Sequence, residues 1–230
     1  MLESEIRDTD WTPAQVNLIL KAREWSARIH HGQLRDDGQP YSTHPLRNAL
    51  RFITRERMGV RDQPYLTAAI LLHDSIEDNP WAVANVSRDE VDRYTAQTLA
   101  INTLVEEFGA EIATYVAQFT IPPYPREDLT QGEKYTWHTK HRARLLSQDT
   151  LVGLALLTDP IDNAGATDHE ISQERIAKIM SKYLPELPLY IDFYSRNRYA
   201  LSEEGCRYIK EVFANMHAAH NEWRNNQYAA

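Results

Sequence analysis

Residues 68–78 read Ala-Ala-Ile-Leu-Leu-His-Asp-Ser-Ile-Glu-Asp. The first five positions are apolar on every side, so a helix built from them has no face to offer water and must lie inside whatever surrounds it. The remaining six positions carry four ionisable groups, His73, Asp74, Glu77 and Asp78. A spacing of four places His73 with Glu77, and Asp74 with Asp78, on two adjacent helical faces. Three carboxylates at the end of an apolar helix repel one another and lose solvation. Either that end is an ordinary solvated helix terminus, or a cation compensates, and a metal ion does this well.

The rest of the chain is punctuated as helices. Thr12-Pro13 reads as an N-cap followed by proline at the first helical position, opening a helix to His31. A polar turn, Gly32 to Pro40, follows. Pro45 opens a helix to about Arg57, and Pro64 opens the apolar one, from Tyr65 to about Glu77, which Asn79-Pro80 ends. Ser87 with Glu90 has capping-box spacing and predicts a helix to Phe108, stopped by Gly109. Further helices are expected over Glu111–Phe119, Glu133–Ser147 and Asp149–Asn163, with a proline-containing loop from Ile121 to Gln131. Thr167 with Glu170 is a second capping box, for a helix to about Leu184, and a last amphipathic helix spans Ser202 to about Arg224. No period-2 run bounded by hairpin turns interrupts this pattern. The sequence therefore predicts an all-α fold, one helical bundle of about eight to ten helices.

Charge narrows the function. The chain carries 25 Lys+Arg against 33 Asp+Glu, a net charge of -8. Without a basic run it is poorly suited to nucleic-acid phosphates or to an anionic membrane surface. The single cysteine, Cys206, cannot form an internal disulfide, which favours a reducing compartment. The acidic start, Met1-Leu2-Glu3-Ser4-Glu5, does not read as a signal peptide, and no run approaches the roughly 18 apolar residues of a membrane span. A cytoplasmic protein is expected. Neither G-x-G-x-x-G nor a P-loop is present, so any phosphate must be handled by side chains or metal.

A second apolar helix ends in acid: Leu154-Ala155-Leu156-Leu157-Thr158-Asp159, with Asp162 and Asn163 on the same face. His44 stands before Pro45 at a helix start, where an isolated histidine ordinarily bonds to backbone. A site drawn from His44, His73, Asp74 and Asp159 has two imidazoles and two carboxylates, a mixed donor set that suits Mn²⁺, Fe²⁺ or Zn²⁺.

Four blocks then carry a resemblance. Ala27 to Leu46, containing His30-His31-Gly32-Gln33-Leu34-Arg35 and Pro40-Tyr41-Ser42-Thr43-His44-Pro45, resembles the opening of the hydrolase domain of RelA/SpoT-type enzymes. Ala68 to Asp78, ending His-Asp-x-x-Glu-Asp, resembles the second block. Phe108 to Thr120 is similar to the third, and Thr158-Asp159-Pro160-Ile161-Asp162-Asn163 to the fourth. The blocks stand in family order between about residues 20 and 165. The family lies in the HD superfamily, and its small alarmone hydrolases are the nearest in kind.

The resemblance implies a single helical HD domain with its metal-dependent phosphohydrolase core in residues 1–165 and a C-terminal helical extension, 166–230, packed on it. It implies a small-molecule nucleotide partner, bound Mn²⁺ (or another divalent transition metal) and hydrolysis of the 3′-pyrophosphate of ppGpp or pppGpp. Carried over by position, His44, His73, Asp74 and Asp159 are the metal ligands. Glu77 and Asp78 are the catalytic pair that positions and deprotonates water, and Arg35, Tyr41 and Asn163 lie around the nucleotide.

Three positions depart from the family. Asp36, Leu156 and Pro160 stand where basic residues are usual, thinning positive charge around a polyanionic substrate. Other bases could substitute, among them Arg28, Arg47, Lys134 and Lys140. The substrate could instead be another nucleotide, ppApp or NADPH, or the domain could bind a ligand without catalysis. The aromatic tail from Tyr183 to Tyr228 either packs on the domain or forms a dimer face. At 230 residues the chain leaves no room for a synthetase domain beside this one.

Overall fold

The computed structural model describes residues 2–126, 128–165, 179 and 181–229. As expected it is all-α: eleven α-helices lie wholly among the described residues, which include no strand and one isolated bridge between Leu34 and Pro40. The count exceeds the expected range because two short helices, α1 (Leu2–Arg7) and α5 (Pro80–Ala84), are too brief to show a periodic pattern. No described helix is long and apolar enough to cross a membrane.

The chain divides into two compact units, one made of Met1–Ile53 and Arg61–Pro125, the other of Thr54–Val60 and Arg126–Ala230. In the first, α4 (Pro64–Asp78) packs against α2 (Pro13–Ile29), α3 (Thr43–Ile53) and α7 (Ala110–Phe119), while α6 (Arg93–Phe108) lies on α5 and α7. Ala68 through Leu72 are all buried, as an all-round apolar helix requires. The Thr12 cap forms with a complete capping box: its hydroxyl accepts from Gln15 N, and its own N–H donates to Gln15 Oε1 at 2.8 Å.

Two of the boundaries that differ from expectation lie before α7. The Ser87–Glu90 pair does not cap a helix. The Ser87 hydroxyl instead accepts from Asp89 N, closing a turn, and α6 begins later, where the Asp92 carboxylate accepts from Thr95 N at 2.8 Å. An Asp side chain at the N-cap satisfies a helix's orphan donors as well as serine does, so local spacing did not distinguish the two starts. The second predicted helix ends at Ile53, not Arg57. The Thr54 carbonyl accepts from both Arg57 N and Gly59 N, and Gly59 takes the left-handed conformation, φ +68°, that such a turn needs.

In the second unit α8 (Gln131–Leu146) starts from a Thr130–Glu133 capping box, and α9 (Thr150–Pro160) from an Asp149 cap. The sequence predicted one helix through Asn163. Pro160 has no N–H to offer the Leu156 carbonyl, and beyond it the ladder reopens as a π-turn over Ile161–Gly165. The helices α10 (Leu187–Asn197) and α11 (Glu203–Ala229) complete the described part. The Thr167–Glu170 capping box lies outside the described residues.

Of the aromatic tail, Tyr183, Tyr190, Phe193, Tyr194 and Phe213 are buried within this unit, while Tyr199 is exposed. Phe193 sits directly over Gly153 of α9, where an added Cβ would fall 2.3 Å from Phe193 Cζ. Gly153→Ala is therefore expected to destabilise the protein by about 1–3 kcal/mol, the usual cost of overpacking. Urea unfolding checks this, and a stability within error of the parent would show that Phe193 can move aside.

Candidate metal centre

The first turn of α3 and the last turns of α4 bring His44, His73 and Asp74 together. One ligand atom from each lies within 4.8 Å of the other two. His44 Nε2 is 3.5 Å from Asp74 Oδ2, and His73 Nε2 is 3.1 Å from Asp74 Oδ1. His44 is buried, and His73 and Asp74 are nearly so. His44 Nε2 thus faces an acid.

The donor chemistry fits a cation. His73 Nδ1 lies 2.8 Å from the Ile70 carbonyl, which can only accept, so Nδ1 carries the proton and Nε2 presents its lone pair. That buried Nε2 has no hydrogen-bond partner, although a carboxylate oxygen stands 3.1 Å away. With the ring neutral, Nε2 and the carboxylate oxygen are two donor atoms placed where a cation would be shared between them. A ring whose far nitrogen is fixed by a backbone carbonyl is also the usual setting of a metal-ligating histidine. Asn48, one turn along α3 from His44, is buried with its amide nitrogen 3.3 Å from His44 Nε2.

Around this group the turn from Gly32 to Pro40 supplies further residues. The Tyr41 hydroxyl donates to Asp74 Oδ2 at 2.8 Å, and its ring stacks on His30, with centroids 4.7 Å apart. Burial, then the Asp74 and Asp78 carboxylates, push the Tyr41 hydroxyl far above its ordinary value, so it stays protonated and donating. Asp78 is pushed up by burial first and by the Asp74 charge second, while Tyr41, His30 and Gln33 pull it back. Gln33 donates to Asp78 Oδ2 at 3.4 Å, and its amide oxygen takes His30 Nδ1 at 2.9 Å and Asn79 Nδ2 at 3.2 Å.

The two acids of the proposed catalytic pair therefore differ. Asp78 lies beside Asp74, as the four-residue spacing predicted. Glu77 points elsewhere and accepts from Ile121 N at 3.3 Å. Neither joins the three-residue ligand cluster. Arg35 lies partly buried in the same turn, between Leu34 and Asp36, and Asp36 is exposed.

In the second unit Asp159 and Asn163 are joined, Asn163 Nδ2 donating to Asp159 Oδ1 at 2.5 Å. The other oxygen, Oδ2, accepts from Arg142 Nη2 at 2.9 Å. Leu156 and Pro160, two of the positions where a base was expected, are buried. Close by on α8, burial, then the charges of Lys182, Arg142 and His141, push His138 down to about 4. Folded His138 thus refuses a proton that the unfolded chain accepts at about pH 6.5. Its contribution is intact above that pH and is lost as pH falls from about 6.5 towards 4. A His138→Gln variant is expected to lose less stability than the parent between pH 7 and 5, measured by urea unfolding; parallel pH profiles would refute it.

No family model matches the chain. Curated relatives do. A GTP pyrophosphokinase of Myxococcus xanthus is 31% identical over 180 residues, 74% of this chain and 19% of that protein. A guanosine-3′,5′-bis(diphosphate) 3′-pyrophosphohydrolase of Borreliella burgdorferi is 27% identical over 170 residues, 73% of this chain and 22% of that protein. A probable enzyme of the same name from Mycoplasma pneumoniae is 36% identical over 189 residues, 77% and 21%. The chain is a homologue of the RelA/SpoT family enzymes. It spans about a fifth of the length of these relatives.

Several neighbours of this candidate site were not singled out from the sequence. Gln33 and His30 lie within the Ala27–Leu46 segment, three residues apart, and Asn48 follows His44 by one helical turn. Arg142 gave no signal, being one of several bases on α8.

Proposed function

We propose that the chain is a metal-dependent nucleotide pyrophosphohydrolase that removes the 3′-pyrophosphate of ppGpp or pppGpp, releasing GDP or GTP and pyrophosphate. The observation that carries this reading is the His44–His73–Asp74 cluster, with its unpartnered His73 Nε2, in a chain related to enzymes named for this reaction. Other relatives are named GTP pyrophosphokinase, and both names concern guanine nucleotides.

His44, His73 and Asp74 would hold the ion, with Asp159 joining them on the strength of its sequence block. We assign the ion as Mn²⁺, which a mixed imidazole and carboxylate set accommodates. When bound there, a divalent ion makes water acidic enough to act as nucleophile near neutral pH and offsets phosphate charge. Asp78, its proton affinity raised by burial and by Asp74, is suited to take a proton from water at neutral pH. Glu77, anchored through Ile121 N, would orient that water. Tyr41 fixes Asp74 Oδ2, leaving Oδ1 towards His73. Arg35, Tyr41 and Asn163 would line the nucleotide. The proposed reacting groups lie within residues 1–165, in the cytoplasm, where nucleotides are at hand.

Asp36, Leu156 and Pro160 favour a second reading in which the same chemistry acts on a less highly charged nucleotide, ppApp or NADPH. Arg142 on Asp159 favours a third, a binding module in which a guanidinium satisfies the acid. Comparing kcat/KM for ppGpp, pppGpp, ppApp and NADPH in Mn²⁺ tests all three. The leading reading expects a preference of at least about tenfold, 1.4 kcal/mol, for the guanine 3′-pyrophosphates. A preference for another nucleotide replaces the substrate, and binding without turnover supports the module.

A further inference from the structure

Arg142 is a buried cation in an acidic protein, and its surroundings are organised. Nη2 donates to Asp159 Oδ2 at 2.9 Å. Nη1 donates to the Tyr190 hydroxyl at 2.8 Å and lies 3.4 Å from Glu186 Oε2. The Tyr190 hydroxyl passes its own proton on to Glu186 Oε2 at 2.6 Å, and the other Glu186 oxygen accepts from Thr139 at 3.0 Å. The guanidinium also lies against the Tyr183 ring, 5.5 Å from its centroid.

Two features set this apart from an ordinary buried ion pair. The first is charge: one guanidinium faces two carboxylates, so the group keeps an excess negative charge. Glu186 is sealed in, its side chain 2% exposed, and is satisfied by Tyr190 and Thr139. Asp159 is the open end, its side chain 17% exposed. The second is geometry. Arg142 takes one Asp159 oxygen and Asn163 the other, which fixes the plane of the carboxylate. The planar fork of an arginine, itself clamped on its far side, is suited to such a fixed placement.

We propose that Arg142, braced by Glu186 and Tyr190, is a positioning residue that holds the Asp159 carboxylate in the orientation in which it binds a divalent cation. It also returns to this part of the chain a positive charge that Leu156 and Pro160 do not supply. The proposal rests on the reading of Asp159 as a metal ligand.

The test is Mn²⁺ affinity of the full chain, measured by calorimetry without nucleotide, for the parent, Arg142→Gln, Asp159→Asn and the double variant. Circular dichroism confirms folding. Arg142→Gln is expected to weaken Mn²⁺ binding by about 10–100-fold, the range for residues that orient metal ligands. In the Asp159→Asn background the same change is expected to have no further effect, because Arg142 acts through Asp159. A merely structural role would weaken both backgrounds alike. Should Arg142→Gln fail to fold, Tyr190→Phe, which removes one brace, is expected to weaken binding by a smaller factor, again only when Asp159 is present. Unchanged affinity in a folded Arg142→Gln, or in Tyr190→Phe if that is the variant that folds, with Asp159→Asn impaired, overturns the proposal alone. Unchanged affinity in Asp159→Asn overturns it together with the ligand role of Asp159.

Discussion

Asp74→Asn is expected to abolish Mn²⁺ binding and, with it, hydrolysis. Asp74 is the shared member of the cluster, 3.1 Å from His73 Nε2 through one oxygen and 3.5 Å from His44 Nε2 through the other. Removing an orienting neighbour of a ligand costs about 10–100-fold in metal affinity, and removing a charged ligand costs more. The loss will not come from unfolding. Asp74 and Asp78 repel one another, so neutralising one relieves the pair, and an asparagine can still accept from Tyr41. Thermal unfolding of the metal-free variant should match or exceed the metal-free parent. Calorimetry with Mn²⁺ checks the binding, and an affinity within a few-fold of the parent would remove Asp74 from the ligand set.

The second large effect separates chemistry from metal binding. Glu77→Ala and Asp78→Ala should each lower kcat by about 10²–10⁴-fold, the usual contribution of a positioned acid or base. Both should keep most of the Mn²⁺ affinity, because neither belongs to the cluster. The two variants should differ in one respect. Asp78 is tied to Gln33 and, through Gln33, to His30 and Asn79, whereas Glu77 is tied to the backbone after α7. Gln33→Ala should therefore reproduce part of the Asp78 defect and leave Glu77 untouched. Full activity in Glu77→Ala, with metal bound, would take Glu77 out of the water-activating pair.

Much of this was legible in the sequence for physical reasons. A helix apolar on every side can only be central, and α4 is. The four-residue spacing of Asp74 and Asp78 fixes their proximity once the helix forms, and the like-charge coupling follows from it. Proline and capping residues located most helix starts because they act within one turn. The exceptions were equally local: Asp92 took the cap that Ser87 offered, and Pro160 turned the end of α9 into a π-turn. What the sequence could not give was contact at long range. The distances from Arg142 to Glu186 and Tyr190, or from His30 to Asn79, depend on packing, and no spacing rule encodes them. The importance of Leu156 also changed. Read as a missing base, it proves to be a buried apolar residue of α9, while a cation arrives from α8.

The most direct test of the central claim follows ppGpp by anion-exchange chromatography with purified, metal-stripped protein, before and after Mn²⁺ is added. The account predicts no turnover without metal and, with it, stoichiometric GDP and pyrophosphate, lost again in Asp74→Asn. Intact ppGpp in the presence of confirmed bound Mn²⁺, or equal turnover by Asp74→Asn, would contradict it.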